Sequence, residues 1–279
     1  MTLFIFTVWV ILLAFGLLTL ISPEWLVRLS DPGKKVEAAT LVNLGDKFRQ
    51  QGDFQSSIAA YKRALKIIPD NFTALGNLGV LYYGQGKMDD AEVTFKYIAE
   101  KVPDRAHTAY YNLGELYDKT GKPDLALEAY LKSSQLSPYP LQSYRQLGSN
   151  YFTRGEIQKA LEYSRDAISL ALDMNALVKS TLIRARDSSE ESGEHLVNIN
   201  TLLDEISLQD NISRLDYSIY KRLMARDHEL AKTYNFYGSA LTRLGRLEEA
   251  LDAFEKAVSI WPDFRDANKN LKTIRQALN

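Results

Sequence analysis

The sequence contains no cysteine, which excludes disulfides, thiolate metal sites and a cysteine nucleophile. It has three histidines, His107, His195 and His228, and none lies at metal-ligand spacing from an acidic partner. No phosphate-binding loop of the GxxxxGKS/T or GxGxxG kind is present. Charge of one sign is lacking too: 34 Lys and Arg against 35 Asp and Glu leave a net charge of −1. Nucleic-acid binding rests on many unpaired cations facing phosphates, so it is not expected here. No catalytic residue, metal or cofactor is assigned, and an enzyme is not expected. Proline is scarce, eight against sixteen tyrosines, as suits a helical protein with large, partly exposed contact surfaces.

One long apolar run stands out. Leu3 to Ser22 reads LFIFTVWVILLAFGLLTLIS, with no charge before Glu24. About 20 apolar residues at roughly 1.5 Å each span a ~30 Å hydrocarbon core. Two readings are open, an uncleaved anchor at 1–23 and a signal peptide. No Lys or Arg precedes the run, the run is long for a signal core, and Pro23 sits where small residues would mark cleavage. These features favour the anchor. Arg28, Lys34 and Lys35 follow it, which points the remainder toward the cytoplasm, beneath a bacterial inner (plasma) membrane. Ala14 and Gly16 are the only small residues in the span that could allow close helix contact, and no GxxxG is present, which favours a plain anchor. Residues 24–37, with Trp25 at headgroup depth and Asp31-Pro32-Gly33-Lys34-Lys35, read as a juxtamembrane linker.

The rest is dominated by self-similarity. VNLGDKF, GNLGVLY, YNLGELY and RQLGSNY begin at Val42, Gly76, Tyr111 and Arg145, and NFYGSAL begins at Asn235. Their glycines Gly45, Gly79, Gly114 and Gly148 are 34, 35 and 34 residues apart. Gly52, Gly86, Gly121 and Gly155 keep the same step, Gly245 matches them in the last unit, and Pro69, Pro103, Pro138 and Pro262 recur in register. Apolar residues fall at helical intervals, as at Leu44 and Phe48, then Ile58, Tyr61 and Leu65. The pattern predicts two helices per unit. The second glycine caps the first helix, and proline ends the second. The first glycine and a small residue (Ser57, Ala91, Ala126, Ala160, Ala250) allow close approach of the two helices. A large residue four positions later (Tyr61, Phe95, Tyr130, Phe254) is expected to wedge into the next unit.

These coincident glycine, small, aromatic and proline positions resemble the tetratricopeptide repeat family. The resemblance implies an all-α fold, a right-handed α-solenoid of stacked helix-turn-helix units, here following an N-terminal transmembrane helix. Four units are bounded at 38–71, 72–105, 107–140 and 141–174, and a C-terminal unit at 231–264, about 170 of 279 residues. The fourth departs from the pattern: Leu172 replaces proline and Ser164 the aromatic, beside Tyr163, so its second helix is expected to run on. Residues 175–230 form a divergent helical region. It holds ALVKSTLIRAR, a solvated acidic run at 187–194, and a degenerate repeat at 197–230 in which Leu203, Tyr220 and Leu223 match but Asp204 and Asp216 do not. Residues 265–279, with Leu271, Ile274 and Leu278, read as a capping helix.

The resemblance also implies a concave face lined by first helices, holding a protein or peptide partner. Two residues before the first glycine stand Asn43, Asn77, Asn112 and Gln146, then Phe236. An amide donates and accepts, so such a ladder suits an extended backbone; the alternative is that these amides stabilise the inter-unit turn. Beside the ladder the groove would present Asp46, Arg49, Tyr83, Tyr111, Glu115, Arg145, Phe152, Asn235 and Ser239, a mixed surface with aromatic content. Val42, Asp46 and Tyr111 occupy the places where some relatives clamp a terminal carboxylate, so no chaperone-tail clamp is expected. His107 and His228 fall at or near unit junctions, where a structural or solvated role is expected. The function read from this is a membrane-anchored interaction scaffold or adaptor, with residues 3–22 contacting the membrane. The alternative is a structural or assembly subunit of a multi-protein secretion, pilus or envelope-biogenesis complex.

Overall fold

The computed structural model describes residues 31–188 and 217–279. Eleven α-helices lie among them: α1 (Pro32–Gln50), α2 (Phe54–Ile67), α3 (Phe72–Gly84), α4 (Met88–Lys101), α5 (Ala106–Lys119), α6 (Pro123–Leu136), α7 (Leu141–Thr153), α8 (Ile157–Ser188), α9 (Tyr217–Arg243), α10 (Leu247–Ile260) and α11 (Arg265–Leu278). A single 3₁₀ turn, Pro103–Arg105, opens α5, and no strand occurs among the described residues. No helix among them is long and apolar enough to cross a membrane. The expected anchor at 3–22, His195 and most of the acidic run lie outside the described residues.

The ends of these helices are set locally. Asp53 and Asn71 accept from the backbone of Ser56 at 3.1 Å and of Ala74 at 2.9 Å, capping α2 and α3. Such caps satisfy amide groups that the first helical turn leaves free. The expected glycine caps are present. Gly52 and Gly86 take φ of 79° and 77°, the left-handed region that a side chain resists. After each of them the chain reverses: the amide of Asp53 reaches the carbonyl of Phe48 at 2.9 Å, and that of Lys87 reaches Tyr82 at 2.9 Å. This six-to-one bond with a left-handed glycine is a Schellman ending.

In three of the hairpins the aromatic residue of the second helix lies across the first glycine of its own unit. A Cβ added at Gly45 would stand 2.5 Å from the Tyr61 ring, at Gly79 2.5 Å from Phe95, and at Gly238 2.7 Å from Phe254. Each of these rings thus has a seat in its own hairpin, which the expectation of a wedge into the next unit did not include. Tyr61 is fully buried and Phe95 and Phe254 are 1% and 2% exposed, seated where the missing side chain leaves a slot. Each buried ring removes on the order of 2–3 kcal/mol of apolar surface from water.

The described chain forms two compact units, one ending at Gly121 and one beginning at Lys122. In the first, α1 departs from expectation: the stretch read as linker is already helical from Pro32, because Asp31 accepts from Gly33 N at 2.9 Å and proline fits the first helical turn. In the second unit α8 runs on for 32 residues without a stop, as the missing proline implied, and takes in the ALVKSTLIRAR stretch. Ser164 stands where the aromatic of this hairpin would, and Phe236 from α9 approaches the Gly148 slot instead, 3.5 Å from the position of an added Cβ. The boundary placed between 230 and 231 is not a break, since α9 is one helix of 27 residues crossing it. The earlier part of the degenerate repeat lies outside the described residues. Leu161, Ala240, Leu241, Ala250, Ala253, Phe254, Leu271 and Ile274 make one core, to which α11, the helix expected to cap the array, contributes the last two.

Candidate functional site: the inner helices

In the first unit the helices α1, α3 and α5 carry equivalent residues at strides of three: Asn43, Asp46 and Arg49; Asn77, Val80 and Tyr83; Asn112, Glu115 and Asp118. The first column is the amide ladder, and its members are not equal. Asn77 donates to Asp46 Oδ1 at 2.9 Å, across consecutive hairpins. The same oxygen accepts the Tyr61 hydroxyl at 2.6 Å, and Arg49 lies 3.7 Å from it. Burial first, then this carboxylate, pushes the Tyr61 hydroxyl pKa up. Asn77 is therefore engaged in joining hairpins through their first helices, a role distinct from stabilising the inter-unit turn.

At the next step the place of Asp46 is taken by Val80, 52% exposed. Asn112 consequently has no side-chain hydrogen bond among the described residues, and neither has the exposed Asn43. Beside Asn112, Tyr111 donates to Glu115 at 3.1 Å. Burial raises the Glu115 carboxyl pKa, with Asp118 adding to the shift and Tyr111 opposing it. Tyr83 lies under Lys119, whose Nζ is 4.3 Å from the ring centroid. Its hydroxyl pKa is raised by burial and then by Glu115 and Asp118. The face therefore runs from Arg49 through an apolar and aromatic middle to two carboxylates.

In the second unit Arg145 pairs with Glu229 and also donates to Gln142 at 3.2 Å. Gln146, half-buried on α7, is also engaged. Asn235 accepts from Asn270 at 3.0 Å, tying α9 to α11. Phe236 and Phe152 meet at 5.1 Å between ring centroids, tilted by 60°. Arg145, Asn235 and Phe236 thus hold helices together, while Phe152 opens onto a pocket. His228 stacks on Trp261 at 4.0 Å, the structural role expected of it. Among the described residues no cluster of three His, Asp or Glu side chains could hold a metal ion. Sequence reasoning did not pick out Val80, Asp118, Arg243 or Asn270. The stride of three from each ladder position was the signal for the first two, and nothing comparable marked the others.

Stacked helical hairpins with glycine–aromatic seats and glycine-capped first helices define the class: a helical-hairpin repeat array. Family models agree: one for the TPR repeat matches residues 45–86 and one for the tetratricopeptide repeat matches 107–140 and 231–264. The chain is a tetratricopeptide repeat protein. It is 25% identical over 211 residues to a TPR repeat-containing protein of Methanocaldococcus jannaschii, covering 75% of this chain and 36% of that protein. It is 24% identical over 243 residues to the BBSome complex member BBS4 homolog of Drosophila melanogaster, covering 85% of this chain and 44% of the relative. The chain thus spans less than half the length of these relatives. The crystal structure of MamA resembles it in fold with a TM-score of 0.50 and 23% identity, covering 80% of this chain and 91% of that one.

Proposed function

We propose that this chain is a non-enzymatic interaction scaffold whose inner helices bind an extended segment of a partner protein. The observation that carries the reading is Asn112: a half-buried amide with no side-chain hydrogen bond among the described residues, in the same array of positions as exposed Val80 and the Glu115 carboxylate. An unspent amide at that depth suits a partner backbone, because it supplies a donor and an acceptor where water is partly excluded. Tyr83 adds a flat apolar surface, and Glu115 with Asp118 suits a basic residue of the bound segment.

The apolar stretch 3–22 makes membrane tethering part of this proposal, with the repeats on the cytoplasmic side. The second reading, a subunit of a larger membrane complex, draws its support from the relative named as a BBSome complex member. A photo-crosslinker at Tyr83 in cells tests the site, with Asn112→Ala and Val80→Asp as variants. Both substitutions should abolish the crosslinked product while leaving the thermal midpoint within a few degrees. Crosslinking that survives both would count against the inner face. Carbonate extraction of membranes, with and without residues 3–22, tests the tether.

A further inference from the structure

The second unit holds a pocket of about 210 Å³ with walls from α7, α9, α10 and α11. Phe152, Phe254 and Ile274 give it an apolar floor, and Arg243, Asn270, Ser239 and two threonines form a polar rim. Most rim groups are already engaged. Ser239 donates to Asn235 O at 3.0 Å, and Asn270 donates to Asn235 Oδ1 at 3.0 Å. The threonine hydroxyls of Thr242 and Thr273 donate to their own helices at 2.9 and 3.0 Å.

Arg243 is the exception. Its guanidinium carbon lies 4.3 Å from the Phe152 ring centroid, and it has no ion pair among the described residues. A guanidinium held against a ring keeps its N–H edges for an anion. Along α11, Lys269 precedes Thr273 by one turn and Asp266 precedes Asn270 by one turn, so this helix adds one charge of each sign beside the rim residues.

We propose that this pocket seats one aromatic or branched aliphatic side chain from within a partner protein segment, while an adjacent acidic side chain pairs with Arg243. Size agrees, since cavities of about 150 Å³ accept a benzene ring. Chemistry agrees, since a single side-chain carboxylate satisfies one guanidinium fork. The rim residues lie within helices whose amides are already bonded, so the pocket offers no backbone nest for a chain terminus, and Arg243 is the charged group it presents to an acidic side chain. The proposal rests on the reading that inner helices bind a protein segment, and adds what the second unit selects.

The test uses the full chain in lipid nanodiscs and a fluorescent heptapeptide, acetylated and amidated, of sequence Gly-Ser-Glu-Phe-Glu-Ser-Gly. Companion probes carry leucine or alanine at the centre, or glutamine for both glutamates, and one ends in a free Glu-Phe carboxylate. The phenylalanine and leucine probes should bind with dissociation constants on the order of 0.1–1 mM. The alanine and glutamine probes should bind about tenfold more weakly. Arg243→Gln should weaken the glutamate probe to the level of the glutamine probe and leave the latter unchanged. Ser239→Phe, which fills the pocket, should abolish binding of all probes, with its fold checked by circular dichroism. Unchanged affinity in both variants, equal binding of glutamate and glutamine probes, or no binding by any probe overturns the proposal. Tighter binding of the free-terminus probe overturns it as well. If the pocket variants are inert while Asn112→Ala still abolishes crosslinking at Tyr83, only the pocket fails and the wider reading stands.

Discussion

Asn77 on α3 and Asp46 on α1 are joined at 2.9 Å through the same carboxylate oxygen that takes the Tyr61 hydroxyl at 2.6 Å. One acceptor thus connects both helices of the first hairpin to the second. The arrangement divides the ladder into amides that stack hairpins and amides that face outward. The difference is made one position after the glycine, where Asp46 is followed one unit later by Val80.

This division predicts unequal effects for two like substitutions. Asn77→Ala should destabilise by about 1–2 kcal/mol, as loss of a part-buried bond to a charged acceptor does. Asn112→Ala should stay within about 0.5 kcal/mol of wild type. Combining Asn77→Ala with Asp46→Ala in a double-mutant cycle, read by urea unfolding, should return a coupling of about 1 kcal/mol. Additive single effects would show that the contact contributes nothing.

The glycine seats yield a sharper contrast on one helix. Gly79→Ala would place a methyl 2.5 Å from the Phe95 ring, a buried aromatic with no room to retreat. Overpacking of this kind costs about 1–3 kcal/mol. Gly76 lies three residues earlier with nothing within 4 Å of its added Cβ. Gly76→Ala should therefore stabilise by about 0.5–1 kcal/mol through helix propensity alone. Thermal denaturation of the two variants side by side checks the pair, and Phe95→Leu should recover part of the Gly79→Ala loss.

How much of this was legible in the sequence depends on periodicity. Glycines and prolines in register fixed the hairpins and their caps, because a left-handed turn and a helix stop leave few residue choices. The glycine seat of the aromatics was not legible, since sequence spacing shows that Tyr61 and Gly45 are both specialised but not that they touch. The ladder was visible as a column of amides, yet its split into engaged and open members depends on a neighbour from another helix. Phe236 entered the column in line and turned out to pack on Phe152 and beside Gly148, because Ser164 leaves that space open. The pocket joins α7 to the much later helices α9, α10 and α11, so no local pattern announces it.

Continuity of α9 across residue 231 gives a further prediction. Ala231 is fully buried within a helix that extends from Tyr217 to Arg243. Proline there would remove an internal hydrogen bond and clash with the preceding turn, at about 3 kcal/mol or more. Ala231→Pro should lower the melting temperature by several degrees, whereas a hinge between two separate helices would tolerate it.

The acid limb of stability supplies the last test. Glu229 on α9 lies against Lys232, at 2.8 Å, and against Arg145 on α7. Burial alone would raise its carboxyl pKa, but the two cations together outweigh that and hold it below the ordinary value. A depressed folded pKa means that the contribution is complete above the unfolded carboxylate pKa and is lost as pH falls through the folded one. The gap in urea midpoint between wild type and Glu229→Gln should be widest near neutral pH, shrink through the acidic carboxylate range and close below it. High salt should narrow it, since the group is partly exposed and screened. A gap independent of pH would mean that shape rather than charge joins α7 to α9 at this point.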